Sequence, residues 1–252
     1  MKLQRLLSYT RQAVDDYQMI LDGDKIAIGL SGGKDSLALL YALANLQRFY
    51  PFRFELVAIT VDLGFEDFST TALSSLCKEF HIPYYCVKRE IYDIVFHQRK
   101  ESSPCSLCAK LRKGALNQKA LELGCNKIAY AHHKDDFIET ALLSLFFEGW
   151  FYCFPPVTFL DQTGLSVIRP MMYVSESEVI GFKNKYDLPV VNNPCPQDGF
   201  SKREYVKQLL RQLQKEYPGI KQRIFHAIIE GKIIDWPKRM NERMNNERKD
   251  LS

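Results

Sequence analysis

The chain has 252 residues, 46% hydrophobic and 25% charged, with a formal net charge of +4. That length fits one large domain, or one domain with a small appendage, and the composition is that of a globular protein able to bury a core. No run approaches the roughly 18 consecutive apolar residues that a membrane-spanning helix needs. Residues 1–5 carry no apolar signal core. Seven cysteines at irregular spacing do not form a secreted disulfide framework, so a reducing, cytoplasmic setting is expected.

In chain order, residues 2–20 read as an opening helix and residues 25–30, alternating and β-branched, as a buried strand. Helix 35–48, strand 54–61, helix 69–80 and strand 83–88 follow. A second set comprises helix 106–123, strand 127–131, helix 135–147, strand 165–169 and helix 175–186. Pro155-Pro156 and Asp161-Gln162-Thr163-Gly164 mark a loop that breaks this alternation. Residues 200–231 read as helical again, and 237–252, rich in Asn, Lys, Arg and Glu, as disordered. The expected fold is α/β, a doubly wound parallel sheet with helices on both faces. The expected division is an N-terminal helix (1–20), a catalytic domain (21–200), a helical segment (201–236) and a tail (237–252).

Residues 201–252 hold 13 Lys and Arg against 7 Asp and Glu, which leaves 21 against 23 in the rest. A basic end beside a near-neutral body suits a polyanion such as RNA, although a solvated helix face with a frayed tail has the same composition.

Ser31-Gly32-Gly33-Lys34-Asp35-Ser36 lies between a strand and a dense helix former. A glycine-rich turn there aims backbone N–H groups and the positive helix end at one point, which is an anion site suited to phosphate. Ser31 and Ser36 add hydroxyls and Lys34 a mobile charge. The pattern is neither the Gly-x4-Gly-Lys-Ser/Thr loop nor GxGxxG. Asp62 and the run Ala131-His132-His133-Lys134-Asp135-Asp136 also follow predicted strands, so three polar motifs meet at one sheet edge. Asp135 or Asp136 can alternatively be a plain helix N-cap.

Cys105-Ser106-Leu107-Cys108 opens a helix, where the dipole favours thiolate, and its spacing suits zinc, an iron–sulfur cluster or a redox disulfide. Cys195, between Pro194 and Pro196, is the third thiol in an extended setting; three cysteines on a four-iron cluster would leave one iron open. Cys77, Cys86 and Cys125 read as structural, and Cys153 less clearly so.

The six-residue loop resembles the PP-loop of the ATP pyrophosphatase family. Ser31–Ser36, Cys105–Cys108 with its basic continuation, His132–Asp136 and the late Pro-Cys-Pro together resemble the tRNA 2-thiocytidine synthetase (TtcA-like) family, over residues 20–210. The resemblance implies an adenine nucleotide alpha hydrolase-like fold and an ATP-dependent tRNA sulfurtransferase that adenylylates a base oxygen and replaces it with sulfur, with 2-thiocytidine in the anticodon loop as the product. It assigns Ser31, Gly32, Gly33, Lys34, Asp35 and Ser36 to the phosphates and Asp62 to the adenosine. His132, Asp135 and Asp136 go to the reacting phosphates or Mg²⁺, and Cys105, Cys108 and Cys195 to a 4Fe-4S cluster. Lys110, Arg112 and Lys113 are candidates for RNA phosphates. The implied partners are tRNA and a sulfur donor, either a cysteine desulfurase or free sulfide; whether a homodimer forms stays open. A 2-thiouridine thiolase, a PP-loop ligase or amidotransferase for a small molecule with structural zinc, and a non-catalytic nucleotide- or RNA-binding module are the competing readings.

Overall fold

The computed structural model describes residues 1–65, 68–98, 104–191, 195 and 202–231, with only the backbone of His97. The expected tail and residues 232–236 lie outside the described residues, as do Pro194 and Pro196. Helix α1 (Leu3–Asp16) leads into a six-stranded sheet ordered β3-β2-β1-β4-β6-β5. Its strands are β1 (Asp24–Gly29), β2 (Phe54–Asp62), β3 (Tyr84–Lys88), β4 (Lys127–Ala129), β5 (Val157–Leu160) and β6 (Leu165–Ile168). All neighbours pair in parallel except β5 and β6. The helices are α2 (Lys34–Leu46), α3 (Thr71–Glu79), the short α4 (Ile91–Asp93) continuing into a π-helical turn, α5 (Pro104–Glu122), α6 (Lys134–Phe147), α7 (Glu176–Lys185), α8 (Lys202–Glu216) and α9 (Ile220–Glu230).

Alternation along the strands divides the core. Ile26, Ile28, Leu56 and Ala58 point into a large cluster under α1, α2, α3, α6 and α7, with Val206, Leu210 and Phe225 from α8 and α9. Ala27, Val57, Ile59 and Ile128 point the other way, onto Ala115, Leu116 and Ala120 of α5. α2 is apolar almost all round and is buried at nine of its thirteen positions, so the loop before it is anchored from behind. The chain winds outward from β1 to β3 and returns beside β1 as β4. The switch point, and with it the expected ligand crevice, therefore lies at the carboxyl ends of β1 and β4.

Four expectations change. The opening helix stops at Asp16, because Gln18 takes a left-handed φ of 47° and Met19 and Ile20 turn into the core. The loop between Pro155 and Gly164 contains β5, a four-residue antiparallel edge strand that forms a hairpin with β6. The last helical stretch is two helices, divided at Gly219 with φ 89°. Cys86 is exposed rather than packed, because β3 is the sheet's outer strand.

Candidate active site

The loop after β1 is bonded to itself. Ser36 Oγ accepts from Ser31 N and donates to the Gly33 carbonyl, at 3.2 and 3.0 Å. Gly32 has φ 84°, and a Cβ there would meet Val191 Cβ at 3.0 Å. Only glycine fits, on both backbone and space grounds. The Val191 N–H donates to the Gly32 carbonyl at 3.0 Å, which ties the segment leading to Cys195 directly to this loop.

A cavity of about 390 Å³ opens at this edge, lined by Ser31, Gly33, Asp35 and Ser36, by Val61 and Leu63 of the β2 end, by Tyr130, His132 and Asp136, and by Arg112 and Leu116 of α5. Asp62 is absent from this lining. It alternates with Val61 and Leu63 along the strand, and its carboxylate accepts from Gly64 N at 3.0 Å. Lys34 is also drawn aside, with its ammonium 3.0 Å from Asp35 and 3.4 Å from Glu176. Burial pulls the Lys34 pKa down, but the two carboxylates outweigh it and hold the value above the ordinary one. The other oxygen of Asp35, Oδ1, is buried with no hydrogen-bond partner.

The two aspartates of the second motif separate. Asp136 lines the cavity while its Oδ2 accepts the His133 N–H at 2.9 Å, so it caps α6 and faces the site at once. Asp135 turns into a different cavity, bounded by α1, α7, α8 and α9. There it accepts from Glu176 N at 2.7 Å and Lys221 Nζ at 2.6 Å. Burial would raise the Asp135 pKa, but those two donors outweigh it and keep it below the ordinary carboxylate value. Its geometry is that of a tie between helices, and it lines this second cavity rather than the one at the Ser31–Ser36 loop.

His132 is neutral, because burial, aided by Arg169, Lys113 and Arg203, pushes its pKa down to about 4 against the opposing Asp136. Its Nδ1 accepts from Arg169 Nε at 3.3 Å, which leaves Nε2 to carry the proton as a donor. Arg169 is 7% exposed and is held by the Pro155 carbonyl and Thr158 at 2.6 and 3.1 Å. Sequence reasoning missed it, although its position directly after β6 is the signal that marked the other loops.

The thiols meet this cavity through α5. Cys105, Cys108 and Arg112 are spaced three and four residues apart and share one helix face, and Arg112 lines the cavity. Cys105 is exposed at the helix start, and Cys108 and Cys195 are half-buried. Burial raises the Cys108 thiol pKa, with Cys195 and Cys105 acting in the same direction and Arg112 opposing. Lys110 and Lys113 lie on exposed positions of the same helix. The Lys113 ammonium is pushed below its ordinary value by partial burial, then by Arg169 and Arg112.

From α8, Arg203 bonds Asp136 at 3.3 Å and Glu139 at 3.2 Å, and Lys207 bonds Glu176 at 3.3 Å. The helices after residue 201 are thus locked onto α6 and α7 by charge. Glu139 is 2% exposed, and its pKa is pushed up to about 7 by burial and Asp136 against Lys207 and Arg203.

A nucleotide crevice at the switch point, built on a Ser-Gly-Gly-Lys-Asp-Ser loop, defines an adenine-nucleotide domain of the PP-loop type. The family model described as a PP-loop domain matches residues 5–214. A tRNA-cytidine(32) 2-sulfurtransferase of Geobacter sulfurreducens is 40% identical over 230 residues, covering 90% of each chain. One of Pelobacter propionicus is 40% identical over 228 residues, covering 89% of this chain and 85% of the other. A solved U34-tRNA thiolase from Methanococcus maripaludis, with its 4Fe-4S cluster, superposes with a TM-score of 0.73 at 26% identity, over 90% of this chain and 77% of the other. The chain belongs to the PP-loop family and, within it, to the tRNA-cytidine(32) 2-sulfurtransferase family.

Proposed function

We propose that the chain is an ATP-dependent tRNA sulfurtransferase that converts cytidine, at position 32 of the anticodon loop, to 2-thiocytidine. The observation that carries this reading is the shared face of α5, which places Cys108 about one helical turn and Cys105 about two turns from the nucleotide cavity wall at Arg112. ATP lies with its phosphates at the N-terminus of α2, taken up by the Ser31 and Ser36 hydroxyls and by Lys34 once it leaves Glu176. Asp35 Oδ1 is buried without a hydrogen bond, 3.7 Å from His133 Nε2, and Asp136 lines the same cavity, so these two carboxylates fit Mg²⁺. Cys105 and Cys108 at the start of α5, with Cys195 from the segment after Val191, are soft thiol donors of the kind that would hold a 4Fe-4S cluster; among the described residues they are not already gathered into a three-ligand group. Bound there, such a cluster would supply the site from which sulfur is delivered to the base.

The cytidine O2 attacks the α-phosphorus and pyrophosphate leaves; sulfide sulfur then bonds C2, and AMP departs with the original oxygen. The neutral His132 donates from Nε2 toward the charge that develops on the phosphate, and Arg169 holds it in that tautomer. The target base must be unpaired to reach the cavity. A cysteine desulfurase or free sulfide supplies the sulfur, and the reaction runs in the cytoplasm, in keeping with cysteines that form no disulfide with one another.

The test is anaerobic incubation of purified protein with ATP–Mg²⁺, sulfide and an unmodified tRNA transcript. The expected result is 2-thiocytidine with matching AMP and pyrophosphate. ATP turnover indifferent to tRNA, with no thionucleoside formed, contradicts the proposal and points to a small-molecule ligase; 2-thiouridine moves the chain's target to another base.

A further inference from the structure

The end of α6 and the loop after it expose a run of aromatic rings that the reaction above does not use. Trp150, Phe151 and Tyr152 are 63%, 55% and 49% exposed, and Phe147 and Tyr205 of α8 are also open to solvent. Rings of this size at consecutive exposed positions need a partner or a penalty. The loop is nevertheless held firmly. Gly149 with φ 74° ends the helix, and the buried Ser144 hydroxyl lies 3.0 Å from the Tyr152 N–H and 2.8 Å from its carbonyl. Trp150 stacks on Tyr152 at 6.2 Å, and its indole N–H donates to Glu148 at 2.7 Å.

Two observations say what covers this surface. It is continuous with the site through Phe154, two residues after Tyr152, which stacks on His132 at 4.6 Å beneath the Arg169 guanidinium. It also carries a positive charge at one end, where Lys202 lies 4.9 Å over Phe147. Firmly held exposed rings with a lysine at one end, leading toward the cavity of the site, match the chemistry of unpaired RNA. A second protein copy seated on these rings would have to bury the Lys202 ammonium beside Phe147.

We infer that Trp150, Phe151 and Tyr152 form a stacking platform for the unpaired bases next to the target nucleotide of the RNA substrate. This rests on the tRNA reading above. Stacking is insensitive to base identity, so the platform orders the loop without reading its sequence.

The experiment compares the wild type with Trp150→Ala, Tyr152→Ala and Trp150→Phe, using an unmodified tRNA transcript as the probe, with ATP–Mg²⁺ affinity and solution mass measured alongside. Each alanine variant is expected to weaken tRNA binding roughly tenfold, with an unchanged slope of log affinity against log salt, because no phosphate contact is lost. Trp150→Phe should recover most of the loss, and ATP affinity and thermal midpoint should not move. Equal tRNA affinity in both alanine variants overturns the inference and leaves the tRNA reading intact. A fall in solution mass on Trp150→Ala also overturns it, by assigning the surface to a second copy. Failure of the wild type itself to bind tRNA rejects the tRNA reading, and the platform with it.

Discussion

Around Ser31–Ser36, polar groups are bonded within the loop, capped by α6 or paired with α7, and a helix buried at nine of thirteen positions stands behind them. Around Cys105 and Cys108 the same sheet edge is finished differently. The thiols sit on the open first turn of α5, whose buried contacts begin only at Ala115, and their third partner arrives on a separate segment. The nucleotide end is built before anything binds. The cysteine end supplies thiols that form no disulfide and are not gathered into a three-ligand group among the described residues, so a bound group is what would complete it. Val191, which donates to Gly32, is the physical link between the two ends.

The comparison breaks most sharply at the thiols. Cys108→Ser is expected to abolish thiolation and bound iron while ATP–Mg²⁺ still binds, read by iron content, visible absorbance and calorimetry. Loss of ATP binding in that variant would mean that the two ends are not independent. On the other side, Gly32→Ala forces a left-handed alanine against Val191 and should weaken ATP at least tenfold, with about 2 kcal/mol lost in stability by thermal unfolding. Iron content in that variant should fall little; a large loss would show that the loop positions Cys195 through Val191.

Lys221→Met leaves the buried Asp135 carboxylate with only the Glu176 N–H and should lower stability by about 2 kcal/mol while kcat stays near that of the wild type. A variant that is stable but inactive would return Asp135 to the reacting groups. Glu139→Gln should have the smallest effect and the most specific one. Because the folded pKa of Glu139 is raised from 4.5 to about 7, the folded state binds the extra proton in that window. The stability it contributes is complete below about pH 4.5 and disappears as pH rises through about 7. The glutamine variant should therefore flatten the pH dependence of the unfolding midpoint between those limits; an unchanged slope would contradict the assignment.

The parallel core and the loop after β1 were legible because their signals are local, a strand, a glycine turn and an apolar helix in succession. β5 was not, because Val-Thr-Phe-Leu between two turn clusters is too short to show a period and pairs only through the hairpin. The fate of Asp135 was equally hidden. Its partners Glu176 and Lys221 lie 41 and 86 residues away, and a capping position in sequence is indistinguishable from a tie between helices. Arg169 needed the hairpin, since Thr158 and the Pro155 carbonyl hold it in place.

The measurement that tests the central claim most directly is nucleoside mass spectrometry of bulk tRNA from cells lacking this gene, with and without a copy restored. The account predicts that 2-thiocytidine disappears and returns with the wild-type copy but not with Cys108→Ser. An unchanged content of 2-thiocytidine, with no other thionucleoside lost, would contradict it.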